Sequence, residues 1–245
     1  MDAKERILFL NHNREIEDLF DSYADTFDSH LLEGLRYNVP NLMREQFAAF
    51  EEGSCASATC RTTTTTTGSN NERRRPFARC LDLGCGTGLA GVAFRDVCDY
   101  LEGNDLSSEM VAKAQAREGV YDAVGHGDAV NCLRRQPDAS VDLLLSADVV
   151  MYVFSLPRLL EQAKRALRRD GLFIFSTESL DDAEGIAGGV VERESRRFAH
   201  SRDYVMSAAD GFDLGSVDNF AVRNDDGKAI RGDIFVLRRR DDSEA

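Results

Sequence analysis

The sequence predicts an α/β fold: a parallel sheet with helices on both faces, ended by an antiparallel pair and preceded by a helical segment. Three observations predict it. From Phe77 onward, short apolar runs alternate with helical segments, the pattern of strand, crossover helix and parallel strand. The run Arg79–Leu83 leads straight into three alternating glycines, Gly84, Gly86 and Gly88, where a backbone can take positive φ and approach a ligand without a Cβ in the way. The last two runs, 214–221 and 232–238, are separated only by the polar stretch 223–228, which reads as a hairpin and not a crossover.

Taken in order, residues 13–35 carry Ile16, Leu19, Phe20, Tyr23, Phe27 and Leu31 at spacings of three and four, so a helix with an aromatic stripe is expected there. The stripe serves as a packing face, or as a cover whose Tyr23 and Phe27 close a pocket. Pro40 suits a first helical turn, and a second amphipathic helix is expected over 41–52, stopped by Gly53. Residues 1–53 are thus read as an N-terminal helical lid. Residues 54–76 change character, with six consecutive threonines from Thr62 to Thr67 and three arginines from Arg73 to Arg75. Apolar residues to offset ordering entropy are lacking, so this is read as a low-complexity, disordered insertion.

The core is expected over 77–245, a length suited to one domain. Its parallel strands are placed at 79–83, 100–104, 122–126, 141–146 and 172–177. The helices between them are placed at 89–97, 107–117, a short turn near 131–135, and 156–167 with Pro157 in its first turn and Gly171 beyond its end. A last helix at 201–209 precedes the hairpin. No internal repeat is present.

The formal net charge of -13 opposes the phosphate contacts that dominate nucleic-acid affinity, which argues against nucleic acid as a partner. The short basic clusters, such as Arg238 to Arg240, read as solvated faces and tails. No apolar run approaches membrane-spanning length, so no membrane association is expected. The first residues hold only Ile7 to Leu10 as an apolar run among Asp2, Glu5, Glu15 and Glu17, unlike a secretory signal or an acid-poor transit peptide, and a cytoplasmic location is expected. Cysteines at 55, 60, 80, 85, 98 and 132 lack metal-site spacing and are read as reduced, small hydrophobic residues; no metal site is expected.

Two cofactor classes fit the glycine stretch. Gly86-Thr87-Gly88-Leu89-Ala90-Gly91 matches a dinucleotide pattern, with Asp105 at the distance of a ribose-binding acid. Three features favour S-adenosylmethionine instead. The first glycine after the strand is Gly84, two residues ahead of that pattern. Asp82 would repel a pyrophosphate but suits a cationic amino-acid end. No Lys or Arg lies between Leu81 and Phe94 to help a phosphate. Asp105 can then accept two ribose hydroxyl hydrogen bonds. Asp128 can accept from the adenine amino group, with Ala129 as a backbone donor.

The order Leu81-Asp82-Leu83-Gly84-Cys85-Gly86-Thr87-Gly88, Asn104-Asp105-Leu106-Ser107, Gly127-Asp128-Ala129, then Asp142 to Asp148 and Gly171-Leu172-Phe173 resembles the class I S-adenosylmethionine-dependent methyltransferases, over roughly Phe77 to Glu178. The stretch Phe20-Asp21-Ser22-Tyr23 through Phe27, His30 and Leu31, with Tyr37 and Pro40, looks like the lid of a subgroup often fused to tetratricopeptide repeats; no such repeat precedes it here. The resemblance implies a Rossmann-like seven-stranded sheet and S-adenosylmethionine as cofactor. It implies a cofactor set of Tyr23, Asp82, Gly84, Cys85, Gly86, Gly88, Asp105, Leu106, Asp128, Ala129 and Ser146, with Tyr23 at the methionine end.

After the fourth strand, enzymes that methylate amino groups of bases or glutamine often carry Asn/Asp-Pro-Pro-Tyr. This chain has Ser146-Ala147-Asp148-Val149, and with the acidic charge that points to a small-molecule acceptor. In-line methyl transfer needs alignment first and a general base only for a tightly held proton. Candidates for that base are Asp148, Tyr152 and His200, and Arg196 or Arg197 is placed to meet a carboxylate on the substrate. Two other readings stay open: a non-catalytic binding or scaffold protein on the same fold, and an NAD(P)-dependent reductase. The acceptor atom and the oligomeric state have no signal in the sequence.

Overall fold

Sheet formation gathers the apolar runs into nine strands in the computed structural model, which describes residues 3–57, 77–180, 188–225 and 228–241. Strands β1 (Phe77–Leu83), β2 (Cys98–Asp105), β3 (Ala123–His126), β4 (Val141–Ser146) and β5 (Leu167–Ser179) lie in the order β3-β2-β1-β4-β5. All five are parallel. Chain order reverses between β1 and β4, so the crevice beyond their carboxyl ends is the natural ligand site of such a sheet.

Two short strands that the sequence did not suggest follow, β6 (Val190–Glu192) and β7 (Phe198–His200), paired antiparallel. Their origin is the length of β5. Its last pair with β4 is Ser146 with Phe175, and beyond that point β7 takes the vacant edge, pairing Glu178 with Ala199 and Ser179 with His200. Three residues are too few for a periodic signal. Strands β8 (Phe212–Asp225) and β9 (Lys228–Arg239) form the expected hairpin, with β9 antiparallel to β5 from Leu172 with Arg238 to Glu178 with Gly232. The five parallel strands and the C-terminal antiparallel pair are therefore present, with the β6–β7 ribbon added.

The helices are α1 (Ala3–Tyr23), α2 (Phe27–Ser29) with a π-helical turn over His30–Gly34, α3 (Val39–Ser57), α4 (Leu89–Phe94), α5 (Ser108–Ala116), α6 (Ala129–Arg135), α7 (Leu156–Ala166) and α8 (Arg202–Ala208). The helix expected over 13–35 starts earlier and breaks after Tyr23, where Thr26 N–H closes a turn on the Tyr23 carbonyl at 3.2 Å. Gly53 does not end α3: a mid-helix glycine costs only about 1 kcal/mol, less than tertiary packing returns. The threonine run falls in 58–76, outside the described residues, as do 181–187 and 242–245.

Each face of the sheet has its own apolar layer. On one, Leu156, Leu159, Leu160 and Ala163 of α7 meet Phe173, Phe175 and Phe235, the last two rings stacked 5.2 Å apart. Their i, i+3, i+4, i+7 spacing is why α7 lies flat there. On the other face, Val39, Met43 and Phe47 of α3 pack with Phe94, Leu143, Ile174 and Val236. Helix α3 is thus one of the sheet's covering helices, and α1, α2 and the turn up to Tyr37, with Pro40 at the start of α3, reach over the carboxyl ends of the strands. Cys80, Cys85, Cys98 and Cys132 are free and buried; the side chains of Cys55 and Cys60 lie outside the described set. Among the described residues no helix is long and apolar enough to cross a membrane.

Candidate cofactor and acceptor site

The chain leaves β1 through Gly84, Gly86 and Gly88, at φ of +65°, +52° and +98°. A Cβ on Gly84 would stand 2.3 Å from Cγ2 of Val149, whereas one on Gly86 would meet only the Phe27 ring, at 3.7 Å. Gly84 therefore permits close packing and Gly86 presents bare backbone. The turn is tied to β2: Cys85 N–H donates to the Asn104 carbonyl at 2.9 Å, and Gly86 N–H to Asp105 Oδ2 at 2.7 Å. Ser107 N–H donates to Asp105 Oδ1 at 2.9 Å. Burial raises the Asp105 pKa, opposed by these donated N–H groups. Each carboxylate oxygen keeps a lone pair for a further donor.

A cavity of about 1020 Å³ lies over this turn, walled below by the loops after β1 to β4 and above by α1 and α2. Of the residues expected in the site, Tyr23, Gly84, Cys85, Gly86, Asp105, Leu106, Asp128 and Ala129 line it, together with Asp148 and Tyr152. Asp128 also caps α6, Asn131 N–H donating to its Oδ1 at 2.9 Å. Asp148 sits at φ +60°, its N–H donating to Ser176 Oγ at 2.8 Å. Burial holds the Cys85 thiol well above its ordinary pKa, so Cys85 is wall and not nucleophile. Tyr23 Oη hydrogen-bonds the His30 ring.

Five expected residues are not in the wall: Asp82, Gly88, Ser146, Arg196 and His200. Strand alternation turns Asp82 under the glycine turn, fully buried, where Tyr121 Oη donates to its Oδ2 at 2.6 Å. Tyr121 fits there because Gly91 and Gly103 have no side chains: a Cβ on Gly91 would lie 2.4 Å from its ring. The glycine that completes the dinucleotide pattern is thus explained by packing. Gly88 faces Tyr121 and Arg117. Ser146 ends β4 buried beneath the loop that forms the wall. His200 is buried in β7 and stacks on Tyr204 with centroids 5.8 Å apart; burial lowers its pKa to about 4. Away from the cavity, it is not placed to act as the base.

Burial pushes the Asp82 carboxyl up to about 7, with the Tyr121 hydrogen bond opposing and the Asp105 charge adding to the rise. The ordinary value is about 4, so as pH rises the unfolded chain loses this proton first. Stability falls between about pH 4 and pH 7 and is then flat, by an amount on the order of 4 kcal/mol. In the ligand-free protein, Asp82→Asn is expected to exceed wild type in urea-unfolding stability at pH 8 and to match it at pH 4. A wild-type advantage at pH 8 would contradict the buried carboxylate.

Sequence reasoning missed what seats the cover. Asp28 accepts from Thr87 Oγ1 and pairs with Arg117 at 2.7 Å, and Arg117 Nε also donates to the Thr87 carbonyl at 2.8 Å. Asp21 accepts from Ser107 Oγ at 2.5 Å, and His12 Nε2 bonds the Tyr152 carbonyl at 2.8 Å. Exposed pairs such as Asp25–Lys113 contribute little; the half-buried Asp28 is the main latch. Asp28→Ala is expected to speed release of a bound ligand about tenfold in stopped-flow while changing stability by less than about 1 kcal/mol. Unchanged release would show that the latch is not a gate. The signal was present in Asp21 and Asp28 beside aromatic residues, but their partners lie 59 to 89 positions away in the chain.

The site can be tested for a group with a sugar diol and a cation. Bare backbone at Gly86 and the Asp105 carboxylate suit the diol, and the buried Asp82 Oδ1 has no hydrogen-bond partner, which suits a positive charge nearby. The donor set fits S-adenosylmethionine. A methyltransferase-domain family model matches residues 81–175. The malonyl-[acyl-carrier protein] O-methyltransferase of Serratia marcescens is 31% identical over 103 residues, 42% of this chain and 39% of that protein. Its counterpart from Pectobacterium atrosepticum is 35% identical over 97 residues, 40% of this chain and 37% of that protein. The chain thus spans less than two fifths of the length of the curated relatives it matches. In fold it is similar to magnesium protoporphyrin IX methyltransferase from Synechocystis PCC 6803 with bound S-adenosylmethionine, with a TM-score of 0.61 over 93% of this chain and 97% of that one, at 13% identity. In sequence, residues 81–175, from β1 into β5, thus match a methyltransferase domain, and in fold the chain is similar over 93% of its length to a methyltransferase of known structure.

Proposed function

We propose that the chain transfers the methyl group of S-adenosylmethionine to an O, N or other nucleophile of a small-molecule acceptor. The observation that carries this reading is the cavity of about 1020 Å³ that runs from Asp128 across the glycine turn to Tyr152. That is the upper end of the range for one ligand site, with room for two molecules side by side. Held over the glycine turn, S-adenosylmethionine would supply an electrophilic methyl group on a sulfonium, whose sulfur would keep the bonding electrons when an acceptor lone pair takes the methyl group.

The chain's own residues align and enclose. Asp105 would accept from the ribose hydroxyls, Asp128 and Ala129 would meet the adenine, and Asp82 would offer its charge from beneath the turn to the amino-acid end. Tyr23, Phe20 and Phe27 exclude water from above, which favours a step that disperses charge. Asp148 and Tyr152 are the two groups in the wall on the acceptor side that can take a proton from the acceptor. The carboxylate is the better base near neutral pH. The acidic surface supports a small acceptor over nucleic acid.

Calorimetry with S-adenosylmethionine, adenosylhomocysteine and NAD(P)H tests the cofactor, and labelled methyl groups offered with pooled metabolites test transfer. Binding of the first two and labelling of an acceptor is the expected result. Binding without transfer to any pool would favour a non-catalytic role on this fold, and binding of NAD(P)H alone would return the site to a reductase.

A further inference from the structure

Arg197 is the unusual charge in the wall. Its neighbour Arg196 turns outward to Glu15, at 2.8 Å, and to Glu192, at 2.6 Å. Arg197 turns inward and lines the cavity, where its Nε donates to Tyr152 Oη at 2.6 Å. Among the described residues this is the only hydrogen bond of its guanidinium, and no carboxylate lies within 4 Å of it. An arginine has five N–H donors in a planar fork, so most of this one faces the cavity uncommitted. The other arginine in the wall, Arg36, is exposed.

The placement is built. Arg193 N–H donates to the Arg197 carbonyl at 2.8 Å, and Arg193 pairs with the buried Glu178 at 3.2 Å, which pins the β6–β7 ribbon to the end of β5. Tyr152 is held in turn by the Phe20 ring, edge-on with centroids 5.2 Å apart. Beside this pair the wall holds Phe9, Ile16, Phe20 and Phe154 together with Asp148, whose charge and that of Glu178 act on the guanidinium from beyond ion-pair distance. A half-buried cation with no carboxylate in contact gains from an anion that meets it directly. The position along the sheet says which ligand that is. Asp105 and Asp128 follow β2 and β3, on one side of the β1/β4 switch point, and Arg197 enters β7, on the other side, beyond β4.

Resting on the methyl-transfer reading, we propose that Arg197, oriented by Tyr152, binds a carboxylate of the acceptor, so that the acceptor is an apolar or aromatic carboxylic acid. A planar monoanion matches the guanidinium fork. The carboxylates of Asp148, in the same wall, and of Glu178, behind it, disfavour a dianion such as a phosphate monoester.

The test uses 3-phenylpropanoate and its amide, of equal shape, titrated by calorimetry and ligand-observed NMR into protein saturated with adenosylhomocysteine. The acid is expected to bind wild type about tenfold tighter than the amide, and Arg197→Gln to abolish that preference while binding adenosylhomocysteine as wild type does. Tyr152→Phe is expected to reduce the preference only in part. Equal binding of acid and amide to wild type, no detectable binding of the acid, or a preference that survives Arg197→Gln overturns the proposal. The wild-type comparison needs no variant to fold. If adenosylhomocysteine itself fails to bind wild type, the cofactor reading fails, and the acid and amide are still compared on the ligand-free protein.

Discussion

Asp105→Ala is expected to weaken adenosylhomocysteine binding about a hundredfold or more and to destabilise the ligand-free protein by about 2 kcal/mol. The binding loss is that of two hydrogen bonds from ribose hydroxyls to a carboxylate, each contributing about 1.5 kcal/mol or more. The stability loss has a separate origin. The carboxylate accepts from Gly86 N–H and Ser107 N–H, and alanine leaves both donors near a buried site without an acceptor. Asp105→Asn separates the two effects, since Gly86 N–H and Ser107 N–H meet different carboxylate oxygens and the one amide oxygen can face only one of them. It should recover part of the stability while binding remains at least about tenfold weak. Calorimetry and urea unfolding read both quantities, and near-wild-type affinity in the alanine variant would remove Asp105 from the cofactor site.

Gly84→Ala is expected to cost about 3 kcal/mol, and Gly86→Ala about 1 kcal/mol, although both glycines have positive φ and stand two residues apart. The left-handed conformation costs each alanine about 1 kcal/mol. Only at Gly84 does the new methyl collide with a branched side chain, at 2.3 Å from Val149, and overpacking there adds about 2 kcal/mol. Because Val149 lines the cavity, its displacement should also weaken adenosylhomocysteine binding more than tenfold. Val149→Ala combined with Gly84→Ala should return the collision part and not the backbone part, which a double-mutant cycle measures. Equal destabilisation at the two glycines would mean that the turn relaxes freely.

What the sequence by itself determined were the features made by neighbours in the chain. The strand Arg79–Leu83 and its glycines could be read because a turn at positive φ needs its glycines in succession, and the structure has them at φ of +65°, +52° and +98°. Asp105, Leu106, Asp128 and Ala129 could be read because in a parallel sheet every strand delivers the residues after it to the same edge. The hairpin at the C-terminus was as local, and β8 and β9 pair as its polar turn implied.

Tertiary structure decided wherever a side chain's direction or partner came from elsewhere. Asp82 was expected in direct reach of the cofactor, but strand alternation and the space left by Gly91 and Gly103 set it beneath the turn, its Oδ2 bonded to Tyr121, 39 positions away. His200 was expected near the mouth; the extension of β5 past β4 captures it in β7 and buries it, while bringing Arg197 into the wall three positions earlier. The latches at Asp21 and Asp28 have no local pattern, since each carboxylate answers to a donor on another element. Local conformation follows from steric rules acting on a few consecutive residues, so it is written in order along the chain. The acceptor side of the cavity is assembled from α1, the loop after β4 and the β6–β7 ribbon, whose meeting is set by how two faces of one sheet pack, and only the folded chain brings them together.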